Sequence, residues 1–123
     1  MIKHADQLSI TGIAKEINRL AQLTRAGKLT SADMADGTFT VNNTGSFGSV
    51  ASMGIINYPQ AAIMQVESIN KKLVVTDDGI KIADMVNLCL SLDHRILDGL
   101  QAGRFMNDVK LNLSQYNIKS DLY

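Results

Sequence analysis

Over residues 85–93, MVNLCLSLD, more and less apolar side chains alternate without a break. Val86, Leu88, Leu90 and Leu92 leave one face, and Asn87, Cys89, Ser91 and Asp93 the other, as successive residues of a strand must. That period commits the segment to a half-buried strand, and such a strand requires a sheet and a covering layer. A helix is at hand to supply the cover. It starts near Asp98 or Gly99, and Ala102, Phe105, Met106, Val109 and Leu113 recur at helical spacing.

The rest of the chain reads around this unit. Ile10, Ile13, Ala14, Ile17, Leu20 and Ala21 form one stripe of a helix over residues 10–25. Ser9 is its expected N-cap, and Gly27 is expected to end it in the left-handed region. Residues 30–36 suit a single helical turn. Residues 38–43, rich in β-branched and aromatic side chains, read as a strand. The stretch NNTGSFGSVASMGIINYP then holds three glycines and the chain's single proline, Pro59, so a long ordered loop is expected. Loops of that length in compact domains are often functional. Residues 61–69 read as a buried strand. Residues 73–75 and 80–82 flank TDDG, a hairpin turn with Asp78 and Gly79 at its tip. The tail after Tyr116 is expected to be peripheral. The order α-β-loop-β-β-β-α fits a two-layer α/β (α+β) fold, a mixed sheet with helices on one face.

Composition narrows the function classes. With 12 basic and 12 acidic residues, no bulk field recruits nucleic acid. No run approaches the ~20 apolar residues of a membrane span, and the N-terminus lacks a secretory h-region. Cys89 has no cysteine to pair with, so a reducing cytoplasm is the expected compartment. Two histidines and one cysteine show no metal-ligand spacing, so no metal is expected. Gly45, Gly48 and Gly54 fit neither phosphate-loop fingerprint.

The residues that carry chemistry lie in LSLDHRILDG. If the alternation continues, His94 ends the strand on the face of Leu88, Leu90 and Leu92. Partial desolvation there favours the neutral, proton-accepting imidazole. The pattern alone leaves a bland alternative open: a histidine at a strand end is more often structural, with Asp98 an N-cap for the last helix.

DHRILDG resembles the DHRxxDG motif of the 2-oxoacid dehydrogenase acyltransferases. Its HxxxD core is shared more loosely by chloramphenicol acetyltransferase-like enzymes. The resemblance extends through GTFTVNNTGSFGS, IINYPQAAI and HADQLSITGIAKEINRLAQLTRAGKL. The wording of VNNTGSFGSVASMGIINYPQAAI is most similar to branched-chain members from Gram-positive bacteria.

That resemblance implies a chloramphenicol acetyltransferase-like fold and an acyl transfer between dihydrolipoyl and coenzyme A thiols. His94 would be the general base and Asp98 a structural support for the histidine loop, paired with Arg95 or with an arginine upstream. Where many members have serine or threonine as oxyanion donor, this chain has Asn42; a structural role at the strand–loop junction, or Asn43 or Thr44 in its place, stays open. Coenzyme A would be a substrate and the lipoyl group would arrive on a separate domain. Residues 1–123 would form only the C-terminal part of the catalytic domain, with lipoyl and subunit-binding domains absent. Expected partners are further copies, as a trimer and a larger core, and the decarboxylase and dihydrolipoamide dehydrogenase components. The active site would draw His94 and the oxyanion donor from different chains. A catalytically incomplete fragment that keeps only assembly contacts is the alternative.

Overall fold

A computed structural model of the chain describes residues 1–116. The expectation for the tail beyond Tyr116 lies outside them. The chain divides into two compact units, one holding Met1–Gly37 and the residues from Val109 onward, the other Thr38–Asp108.

In the first unit, helix α1 spans Ile10–Arg25. Ser9 caps it as its composition predicts, with the Oγ accepting from Gly12 N–H at 3.1 Å. Gly27, at φ 66°, closes the other end. Its N–H donates to Thr24 and that of Lys28 to Leu23, the paired bonds that satisfy the last carbonyls. Helix α2, Ser31–Met34, is the single turn read from residues 30–36, held by a reciprocal cap between Thr30 and Asp33.

The second unit holds five strands: β1 Thr40–Asn43, β2 Ala62–Val66, β3 Asn70–Thr76, β4 Gly79–Met85 and β5 Leu88–Leu92. Strands β1, β2 and β5 form one sheet in that order, β1 parallel and β5 antiparallel to the central β2. The sheet is mixed, as expected. Helix α3, Gly99–Gln115, half-buries Ala102, Met106 and Val109, while Phe105 and Leu113 of the expected stripe are 41% and 54% exposed. Its first turns lie on the Ala62–Leu90 face of the sheet, where the Phe105 ring meets Phe39 edge-on at 5.7 Å.

Three expectations need correction. The alternation over residues 85–93 spans two elements: Met85 ends β4, and β5 begins at Leu88. Asn87 breaks the run, its amide donating to Val50 and its carbonyl accepting from Glu67. The buried strand read over residues 61–69 stops at Val66, because Glu67 and Ser68 turn their N–H groups to Asn87 and Ser49. In the hairpin, Thr76 pairs with Gly79, so Asp77 and Asp78 form the tip and Gly79 opens β4 at φ 122°.

The centre of this unit is unusually polar. Ala62 and Ile63 are its buried apolar side chains, beside buried Gln60, Gln65 and Glu67. Gln65 is fully buried; with its carboxamide turned to suit its neighbours, the nitrogen donates to Cys89 O at 3.1 Å and the oxygen accepts from Gly54 N–H at 3.0 Å. Gly54 presses so closely that a Cβ there would sit 1.5 Å from the terminal carboxamide atom of Gln65 that faces it, the oxygen in this orientation. By contrast Leu73, Val75, Ile80 and Ile82, which share one face of the β3–β4 hairpin, are each at least 67% exposed.

Candidate active site

The segment leaving β5 is fixed by its backbone. Asp93 N–H donates to Ala61 O at 2.8 Å, and the Asp93 carbonyl then accepts from both Ile96 and Leu97. These bonds close a turn over residues 94–96 immediately after the strand. His94 therefore does not continue the apolar face of Leu88, Leu90 and Leu92. It sits on the turn and is exposed in this chain.

Its neighbours hold the turn by charge. The Arg95 guanidinium grips the Asp93 carboxylate through both oxygens, with contacts of 2.6 to 3.1 Å. That hydrogen bonding, with the Arg95 N–H added, holds the Asp93 carboxyl down at about 2. Arg95 is thus committed to Asp93 and does not pair with Asp98. Asp98 is the cap of α3: its Oδ1 accepts from Gln101 N–H at 2.8 Å, and Gln101 Oε1 accepts from Asp98 N–H at 3.1 Å. Among the described residues Asp98 makes no ion pair. Its work here is to start the helix that follows the histidine turn, and the local reading as an N-cap describes it.

His94 lines a cavity of about 720 Å³, together with residues 51–53 of the long loop and residues 89–92 of β5. A second cavity, of about 250 Å³ beneath α3, has walls of Phe39, Ala62, Leu90, Leu97 and Phe105 among others, and no titratable side chain. Proton chemistry belongs to the first.

The loop wall of that cavity is tied down by a residue the sequence reading did not single out. Glu67 is only 2% exposed. Its Oε1 accepts from Ser52 Oγ at 2.6 Å and its Oε2 from Thr44 Oγ1 at 2.8 Å. These hydroxyls, Ser52 foremost and Ser49 with them, overcome the cost of burial and hold the carboxyl at about 2. The signal was present in AIMQVES: Gln65 and Glu67 recur at period two inside a stretch otherwise apolar enough to be buried.

Asn42 is exposed on β1, and its carboxamide has no partner among the described residues. The neighbours that shared its candidacy are engaged. Asn43 Oδ1 accepts from Gly45 N–H, and the Thr44 hydroxyl serves Glu67. Asn42 lies opposite Gln65 and Gln65 opposite Cys89, whereas Leu92, at the end of β5, lies opposite Ala62. Asn42 and Leu92 are thus separated by two strand spacings of ~4.8 Å and three residues of ~3.3 Å, roughly 14 Å in all. His94 is further along the chain, and Asn42 does not line its cavity. One chain does not bring the two together. Cys89 does line that cavity, half-buried and without a disulfide.

The family model for the 2-oxoacid dehydrogenases acyltransferase catalytic domain matches residues 1–119. The chain belongs to this family. It is 64% identical over 124 residues to the lipoamide acyltransferase component of the branched-chain alpha-keto acid dehydrogenase complex of Bacillus subtilis (strain 168), covering 100% of this chain and 29% of that protein. Among solved structures, a probable dihydrolipoamide acetyltransferase from Listeria monocytogenes 4b F2365 superposes with a TM-score of 0.95 at 63% identity, over 99% of this chain and 53% of that one. Dihydrolipoamide acetyltransferase from Azotobacter vinelandii gives a TM-score of 0.88 at 32% identity, over 93% and 47%. The chain therefore spans about half the length of the solved relatives and under a third of the B. subtilis protein. No helix of the described residues is long and apolar enough to cross a membrane.

Proposed function

We propose that this chain carries half of the active site of an acyltransferase that moves a branched-chain acyl group between dihydrolipoyl and coenzyme A thiols. The observation that carries the reading is His94, exposed at the rim of a cavity within an acyltransferase-family fold. The 64% identity to the B. subtilis branched-chain component supports the cargo.

The chemistry follows from the groups. A thiol of pKa ~8.5 is only a few per cent ionised at neutral pH, so a base at its sulfur raises the supply of nucleophile. His94 takes the thiol proton as the sulfur forms a bond to the thioester carbonyl carbon. The carbonyl oxygen becomes an oxyanion, which Asn42 of another copy meets with its uncommitted N–H. Collapse breaks the original carbon–sulfur bond, and the imidazolium returns its proton to the departing thiolate. A positioned base of this kind is typically worth about 100- to 10,000-fold. Arg95, Asp93 and Asp98 do not touch the reacting atoms; they fix the turn and the helix around His94.

Assembly is part of the same reading. Asn42 and His94 diverge along the sheet, and the hairpin presents Leu73, Val75, Ile80 and Ile82 to solvent. An isolated two-stranded hairpin is marginal, so this face needs a cover. Copies of the full-length protein, as a trimer within a larger core, meet both needs, with the lipoyl group delivered by a separate domain and the decarboxylase and dihydrolipoamide dehydrogenase components as partners. A cytoplasmic setting agrees with the unpaired Cys89. The second reading, a fragment with assembly contacts alone, is favoured by the same divergence.

The experiment is transfer from S-acyl dihydrolipoamide to coenzyme A by the full-length protein. Activity with coenzyme A, highest for branched acyl groups, is expected. An assembled but inactive full-length protein would leave the assembly reading in place of the enzyme.

A further inference from the structure

From the geometry of the buried carboxylate we infer that Glu67 is a positioning residue, which holds residues 51–53 as the loop wall of the His94 cavity and so sets the affinity for the thiol substrates. The inference rests on the acyltransferase reading only in naming what enters the cavity.

A buried carboxylate is expensive unless it is fully paired, and it ordinarily finds a cation. Glu67 has none among the described residues and uses hydroxyls of the loop instead. An ionised carboxylate accepts only, so it can accept a hydrogen bond from Ser52 on one oxygen and from Thr44 on the other without conflict. Those two hydroxyls lie 3.4 Å apart at the two ends of the loop's first stretch. One carboxylate thus joins the start of the loop to the point where it becomes the cavity wall. Ser52 is the pivotal partner, because it both lines the cavity and donates to Glu67.

The backbone reinforces the same tie. Ser68 N–H donates to Ser49 O at 2.8 Å, and Asn87 Nδ2 to Val50 O at 2.7 Å. Gly45 passes so close that a Cβ would lie 2.5 Å from the Glu67 carbonyl oxygen. Beyond the tie, Met53 and Ile55 are over nine-tenths exposed, so little apolar packing at those side chains holds the wall. The hydrogen bonds to Glu67 carry that task. Glu67 itself does not line the cavity.

The test uses the full-length protein and the variants Glu67→Gln, Thr44→Val and Thr44→Ser. Thr44 is outside the cavity lining, and Val replaces its hydroxyl with a methyl group of similar size. We expect KM for coenzyme A or dihydrolipoamide to rise about tenfold in Glu67→Gln and Thr44→Val, with kcat within about threefold and Thr44→Ser restoring wild-type KM. Hydrogen exchange should speed at the amides of residues 49–54, while β2 and β5 amides stay protected. Unchanged KM with unchanged exchange in both variants would overturn the inference. So would exchange that rises equally through β2 and β5, since Glu67 would then support the whole sheet. A wild-type protein without transferase activity would remove the functional reading alone, and the exchange result would still decide whether Glu67 holds the wall.

Discussion

If Asn42 and His94 belong to sites shared between copies, two inactive variants should repair each other. By sheet register Asn42 lies roughly 14 Å from Leu92, two residues before His94, whereas an oxyanion donor must come within ~3 Å of the reacting oxygen. Asn42→Ala and His94→Ala, each made in the full-length protein, are expected to lose about 100-fold or more in kcat. Co-expressed in equal amounts they would mix within the proposed trimers. A site that takes His94 from one copy and Asn42 from the next finds both intact in about a quarter of cases, given random assembly around the ring. The mixed population should therefore show ~25% of wild-type activity, well above either parent. The assay is acyl transfer to coenzyme A on the co-purified assembly, with subunit exchange verified by mass. Activity no higher than the mean of the two variants would refute the reasoning and return both groups to one chain.

Further outcomes follow from single contacts. Gly54→Ala must push Gln65 off the Cys89 carbonyl, and leaving that buried amide unsatisfied should cost about 1–3 kcal/mol in urea denaturation. Asp98→Ala should cost about 1 kcal/mol through the lost cap of α3, with Asp98→Asn near wild type in the same measurement. Glu67 and Asp93 have carboxyls held at about 2, below their ordinary 4.5 and 3.8. What they contribute is therefore whole above about pH 4.5 and lost as the pH falls through about 2; carboxyl NMR titrations should place both midpoints there.

Local signals in the sequence were read where one residue type decides the geometry. Ser9 and Gly27 bracket α1 because a hydroxyl cap and a left-handed glycine have few alternatives, and TDDG bends the hairpin within one residue of its place. The DHRILDG resemblance led directly to His94. What escaped was set by partners distant in sequence. His94 leaves the strand because Asp93 bonds Ala61 and Arg95, and neither bond follows from alternation. The N-cap reading of Asp98 was legible locally; that Arg95 pairs with Asp93 rather than with Asp98 was not. Glu67 gains its importance from Thr44 and Ser52, and the divergence of Asn42 from His94 depends on β1 running parallel to β2, which no local pattern encodes.

General-base action by His94 has a direct signature in the pH dependence of the loss on substitution. The ratio of wild-type to His94→Ala rates, in the full-length protein, would be followed from pH 7 to 9.5. A thiol of pKa ~8.5 passes from roughly 3% to roughly 90% ionised over that span, so it progressively supplies its own thiolate. The variant should recover toward wild type by about 30-fold as the pH rises. A ratio that stays constant across the range would mean that His94 does something other than remove the thiol proton.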